Sequence, residues 1–205
     1  MAPVTIRRGQ TWGEAGPLAP GAPIASSDAE LATLVRAAVL AGRPVEVGLL
    51  GGDLCRTVAG PGDRARLSTA EAQRLPVDIG FVALDDEAER AFAAHVVIGR
   101  LWRGRLVAAM NAQFIGRFDV APRSHPNDGR LDVVDANLRV PDRVKAWRRL
   151  PTGLHVPHPG ITERRVTELV VELDRAAPVH VDGFGAGLAR RVRLRLVPDA
   201  ATVVI

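Results

Sequence analysis

From Val77 to the last residue, apolar positions come in short runs broken by Gly, Pro, Asn and Asp. The runs predict strands over 77–84, 91–98, 105–111, 114–120, 131–137, 165–173, 178–182, 190–197 and 201–205. Strands this closely spaced, with turn residues between them, are the pattern of a sandwich or barrel. One helix is predicted among them, 141–150, with Pro141 at its first position. Upstream the period is longer. Leu31, Leu34, Val35, Ala38 and Val39 recur at helical spacing behind Ser27 and Glu30, which stand as a capping box. Gly42 is the expected stop, and Pro44 bars further helix. "VEVGLL" (45–50) reads as a buried strand that runs into Gly51-Gly52-Asp53 and a short helix, 53–59, ended by Gly60. A second short helix is expected at 69–74 with Ser68 as its cap, and residues 7–25 read as an extended arm. The expected class is α+β: a mainly antiparallel β-sandwich over 63–205, with flanking helices, behind a reduced α/β segment over 1–62.

Composition narrows the function. Hydrophobic residues make up 47% of the 205, which suits a packed globular fold. No apolar run approaches the roughly 20 residues that span a bilayer, and "MAPVTIRRGQ" lacks a signal-peptide core. A cytoplasmic protein, able to sit peripherally at a membrane, is the expectation. Of 27 basic residues all but Lys145 are arginine, yet the net charge is only +4 and aromatics are 4%. That excludes the dense basic stripe interleaved with aromatics expected of a nucleic-acid binder.

Several residues carry candidate chemistry. Gly51-Gly52-Asp53, between a strand and a helix, could cradle a phosphate on free backbone N–H groups, but the further glycines and the Lys-Ser/Thr of a phosphate loop are missing. Cys55 is the only cysteine and reads as a small buried hydrophobe. His155 and His158 have H-x-x-H spacing without an evident third ligand, so a rigid surface loop is the plainer reading. His95 and His180 lie in apolar strands and read as strand residues. Arg143, Lys145, Arg148 and Arg149, with Trp147 among them, make either a solvated helix face or a contact for an anionic lipid surface. Two Asp-Gly pairs, Asp128-Gly129 and Asp182-Gly183, sit at turn positions beside β-branched runs.

Around those two turns the chain resembles the C-terminal part of the diacylglycerol kinase, sphingosine kinase and bacterial lipid kinase family, within the NAD kinase-like superfamily. The resemblance rests on "AMNAQFIGRFDVAPRSHPNDGRLDVV" (109–134), where Asn111, Gly116, Ala121, Pro122, Asp128 and Gly129 fit the family pattern. "PTGLHVPHPGI", "VHVDG" and "LVPDAATVVI" add the family's later segments in order. It implies a β-sandwich that supplies a lipid site and an ATP-binding domain ahead of it, which is largely missing here. The family's "GGDGT" loop does not occur, and "GLLGGDLCR" only partly matches its second nucleotide-facing loop. The family's catalytic turn is usually Asp-Gly-Glu, its glutamate the general base; here it is Asp182-Gly183-Phe184. A phenyl ring accepts no proton, and losing a general base costs about 10²–10⁴-fold.

The resemblance also implies a structural Mg²⁺ at the first turn, held by the Asp128 carboxylate and the carbonyls of His125 and Arg130; a plain turn role for Asp128 stands beside it. ATP is not expected as a cofactor. Three readings result: a degenerate domain that binds a lipid or small amphipathic ligand, a lipid kinase completed by a partner chain, or a regulatory partner without a ligand. A homodimer or a partner kinase domain is the expected company.

Overall fold

The structure is a computed structural model that describes residues 12–153 and 158–205. Two strand residues, β1 (Glu14–Ala15), lead to a small parallel unit: β2 (Ile24–Ala25), α1 (Asp28–Leu40) and β3 (Glu46–Leu49). The capping box closes on α1, with one change of partner. Ser27 Oγ accepts from the Glu30 N–H, while Glu30 reaches back to the N–H and hydroxyl of Ser26. Leu31, Val35 and Val39 are the buried stripe of α1; Leu34 is exposed. A five-residue helix, α2 (Asp53–Thr57), follows β3.

The rest is antiparallel. β4 (Gln73–Leu84), β5 (Arg90–Phe92), β6 (His95–Arg100), β7 (Arg103–Met110) and β10 (Leu131–Ala136) alternate with turns, and a two-stranded hairpin, β8 (Phe114–Ile115) with β9 (Phe118–Asp119), stands apart. After α3 (Val140–Arg149) come β11 (Ile161–Val166), β12 (Glu168–Val181) and β13 (Phe184–Val204). The hydrogen-bonded order is β1-β4-β13-β12-β6-β7-β10-β11, and β3 joins the far end of β13 in parallel. Residues 1–62 and 63–205 therefore share one sheet among the described residues.

The period of 2 along β4 explains the layers. Val77, Ile79 and Phe81 face α1, β3 and α2 and make the first core. Val82 and Leu84 face the other way, into a second core with Val96, Ile98, Val107, Val133 and Val192. This is a mainly antiparallel β-sandwich with a few helices.

Several predicted elements change. No helix forms at 69–74: a 3₁₀ turn at Arg66–Ser68 and a tight turn closed by Ala72 N–H on the Thr69 carbonyl give way to strand at Gln73, which exchanges both backbone hydrogen bonds with Ile205, at 3.0 Å each. Long-range pairing overrides the local cap signal. The predicted strand 91–98 breaks at Ala93-Ala94, whose N–H groups turn to a carboxylate instead of a neighbouring strand. The expected strand 114–120 is the β8–β9 hairpin, with Gly116 at φ 54° in its turn. Conversely, "DRAAP" and "VPDA" do not end strands. Register shifts in β12 and β13 absorb them, with Asp199 at φ 48° in the second.

At Gly80 the ring of Phe92, its cross-strand partner, lies directly over the backbone, so a Cβ there would overlap the buried ring. Gly80→Ala is expected to destabilise by about 1–3 kcal/mol through overpacking. Urea unfolding checks this, and a wild-type midpoint would contradict the packing described.

Candidate functional site

Asp182 and Gly183 form a two-residue loop between β12 and β13, both with positive φ (47° and 84°), and Val181 pairs directly with Phe184. This is type I′ geometry, which Asp-Gly favours. The Asp182 side chain turns inward. Its carboxylate accepts from the N–H groups of Ala93 (2.8 Å), Ala94 (2.9 Å) and His95 (3.0 Å). Burial pushes its carboxyl upward, and those N–H groups pull it back. Phe184, two residues on, is 66% exposed, so the protein's own core does not cover it.

His95 is buried beside Asp182, and its Nδ1 lies 3.6 Å from an oxygen of Asp53. Burial holds the imidazole below its ordinary range, while Asp182 and Asp53 oppose that. The sequence candidates Asp53 and Asp182 thus meet across His95. Gly51 and Gly52, the candidate phosphate cradle, lead into α2 beside Asp28. The N–H groups of Asp53 (2.6 Å) and Leu54 (3.0 Å) donate to the carboxylate of Asp28, from the start of α1. Any side chain at Gly52 would collide with that carboxylate. The N–H groups of Asp53 and Leu54 are thus already engaged by an internal carboxyl group. Burial, reinforced by repulsion from Asp182, raises the Asp28 pKa to about 7, against the pull of its two N–H donors.

The two Asp-Gly turns are joined by a hydrogen-bonded path. Asp78 is buried in β4 and accepts from Gly129 N–H (2.7 Å) and Asp199 N–H (2.9 Å). Burial raises its pKa to about 6, although both donors oppose this. Asn111 Nδ2 donates to the carbonyls of Asp78 (2.9 Å) and Ala93 (2.8 Å), and Ala93 in turn donates to Asp182. Sequence reasoning missed Asp28 and Asp78. A lone acid inside the apolar run "LPVDIGFVAL" was the available signal, because a buried carboxylate must find donors.

Asp128 itself lies outside this path. Its carboxylate pairs with the Arg165 guanidinium and accepts from the Arg130 N–H at 3.0 Å. Arg165 also reaches Asp132, at 3.2 Å. The His125 ring packs edge-on against Trp12. Among the described residues no three His, Cys, Asp or Glu side chains cluster as metal ligands. The resemblance implies a Mg²⁺ on the Asp128 carboxylate with the carbonyls of His125 and Arg130; in this structure that carboxylate is paired with Arg165.

A cavity of about 810 Å³ opens between the sheet and α3. Val97, Leu106, Ala108 and Val134 form its floor, with Phe118 and Trp147 on the α3 side. Trp147 packs inward, its ring 4.5 Å from Phe118 and 5.5 Å from Trp102. Arg143 also turns inward and is buried, while Lys145, Arg148 and Arg149 stay exposed. The basic face of α3 is thus split between the cavity and solvent.

Cys55 is buried with its Sγ 3.7 Å from the Leu49 carbonyl, and burial pushes its thiol upward, away from the reactive thiolate. His155 lies outside the described residues; His158 Nδ1 accepts from Gly160 N–H at 3.0 Å. His180 is an exposed strand residue at the cavity edge. Among the described residues no helix is long and apolar enough to cross a membrane.

The fold is thus a mainly antiparallel β-sandwich whose two Asp-Gly turns are tied through the buried Asn111. The family model of the YegS C-terminal NAD kinase beta sandwich-like domain matches residues 76–205, and the chain belongs to that family. Among solved structures it is similar to a protein of Bacillus anthracis str. Sterne proposed to be a diacylglycerol kinase, with TM-score 0.70 and 14% identity over 88% of this chain and 75% of that one. A second such structure from the same organism gives 0.66 and 14%, over 88% and 76%. A third, named as a diacylglycerol kinase from that organism, gives 0.57 and 15%, over 78% and 66%. Since 88% of the chain exceeds residues 76–205, the fold likeness reaches back into the segment before β4. Among curated proteins none matches this sequence.

Two outcomes are expected here. The folded Asp28 pKa near 7 lies above its ordinary 3.8, so the stability that its proton contributes is full below about pH 4 and is lost as pH rises toward 7. Asp28→Asn carries no such proton. Relative to wild type, its unfolding free energy should improve from pH 4 to pH 7.5; parallel pH profiles in urea melts would contradict this. For Asp128→Ala, the loss of melting temperature should be the same in chelator and in millimolar Mg²⁺, because an arginine is the partner lost. A loss that appears only with Mg²⁺ present would restore the metal.

Proposed function

We propose that this domain binds a lipid or similar amphiphile in the cavity beneath α3, and that it does not transfer phosphate from ATP by itself. The observation that carries the first half is the cavity. Its volume of about 810 Å³ falls in the range of about 300–1,000 Å³ usual for small-molecule sites, and its walls are overwhelmingly apolar. The solved relatives named for diacylglycerol kinase supply the ligand class. The outward charges of α3, Lys145, Arg148 and Arg149, would meet an anionic membrane surface from which such a ligand is drawn.

Three features support the second half. Phe184 stands where the family usually carries its general base. Asp182 is spent on three backbone donors, which leaves it poorly placed to take a proton. Asp28 fills the N–H groups at α2. Phosphoryl transfer depends on positioning the nucleotide and stabilising its charge, and these residues supply neither.

Trp102 and Trp147 at the cavity report on binding through their fluorescence. Titration with 1-monooleoylglycerol and oleate should give a saturable change. Ala146→Trp, which fills the cavity beside α3, should abolish it, and native mass spectrometry should show co-purified lipid on wild type only. No fluorescence change and no bound lipid would overturn the reading. With MgATP and mixed lipids, no phosphorylated product is expected. Product formed by the chain alone would overturn the second half, and product formed only with an added polypeptide would favour a kinase completed by a partner.

A further inference from the structure

The cavity is apolar, but its charged lining is of one sign. Arg100, Arg103 and Arg143 line it, and no Asp or Glu does. Arg143 is 7% exposed, and its guanidinium donates only to backbone carbonyls: Leu138 (2.8 Å), Leu101 (2.7 Å) and Gly104. Three of its five N–H groups are used, so two remain without a partner among the described residues. No carboxylate lies within 4 Å of Arg143, Arg100 or Arg103 among the described residues. The undescribed residues, 1–11 and 154–157, contain no Asp or Glu that could supply one.

Arg100 and Arg103 add an independent sign. They are direct cross-strand partners at the turn between β6 and β7. Like charges placed opposite each other destabilise a strand pair. The same turn supplies two of the three carbonyls that hold Arg143. Three arginines therefore converge on one end of an apolar cavity, and a buried cation without a counter-charge is costly until an anion arrives.

We infer that the cavity takes a single-chain amphiphile with an anionic head, a carboxylate or phosphate monoester. The head sits at the β6–β7 turn among Arg100, Arg103 and Arg143, and the alkyl chain lies along Val97, Leu106 and Val134. The inference rests on the amphiphile reading above and narrows it from lipids in general to charged ones. Arginine suits the task because its planar fork offers paired donors to carboxylate or phosphate oxygens.

The test compares monomeric oleate and oleoyl phosphate with uncharged 1-monooleoylglycerol, by titration of the full chain below the micellar concentration of each. Oleate and oleoyl phosphate should bind at least about tenfold more tightly, as expected for one charge-assisted contact. Both arginines of the turn are exposed, so Arg100→Gln with Arg103→Gln should fold normally, verified by its melt. That double variant should lose about tenfold or more for the two anions, so that their advantage over monooleoylglycerol disappears. Raised salt should weaken the anions only. Equal affinity for charged and neutral ligands would overturn the inference while leaving the amphiphile reading intact. Failure of all three ligands to bind would overturn both. Binding only to anionic vesicles, with none to monomeric oleate, would assign the arginines to membrane contact and also overturn it.

Discussion

Three backbone N–H groups at residues 93–95 point at one buried carboxylate, and much of the molecule's geometry depends on that contact. Without Asp182 the bend between β5 and β6 would leave three buried donors unsatisfied, each costing about 1–3 kcal/mol. The contact fixes where β6 starts, and β6 pairs with both β7 and β12. It also sets the position of His95 against Asp53 and α2. Asp182, the first residue of its Asp-Gly turn, is thereby a scaffold for the joint between the two cores.

Asn111 extends this joint. It bridges the backbones of Asp78 and Ala93, so that Gly129 and Asp182, far apart in sequence, are held by one set of buried polar groups. Low dielectric makes such a network strong when complete and costly when broken. Tight polar anchoring at this joint contrasts with the α3 side, where the wall of the cavity is held by Arg143 and aromatic contacts. The molecule thus has a buried polar centre and an apolar chamber beside it.

The fold was largely legible because period-2 patterning and turn residues are local signals. Val82, Leu84, Val107 and Val133 announced strands without any partner in view. What was illegible depended on the partner. Gln73 became strand because Ile205 reaches it, and "VPDA" remained within a strand because Asp78 satisfies the Asp199 N–H. The candidate site was legible in part. Asp53 and Asp182 were singled out and do lie on either side of His95. That Asp28 would fill the N–H groups beside Gly52 could not be read from its place next to a helix cap, since its partners are 25 and 26 residues away. Likewise Arg143 and Trp147 looked like surface residues, and only the packing of α3 turns them inward.

The long strand β13 carries residues of both cores, Val192 and Leu194 in one and Ala201 and Val203 in the other, and it pairs Thr202 with Glu46. During synthesis, neither hydrophobic layer can close until residues 184–204 have left the ribosome. Until then β4 and β3 wait with an unpaired edge, and contacts that span most of the chain must form last. Such high contact order slows folding and prolongs the life of sticky intermediates. A nascent chain stalled before residue 184 would accordingly depend on chaperones more than its modest size suggests.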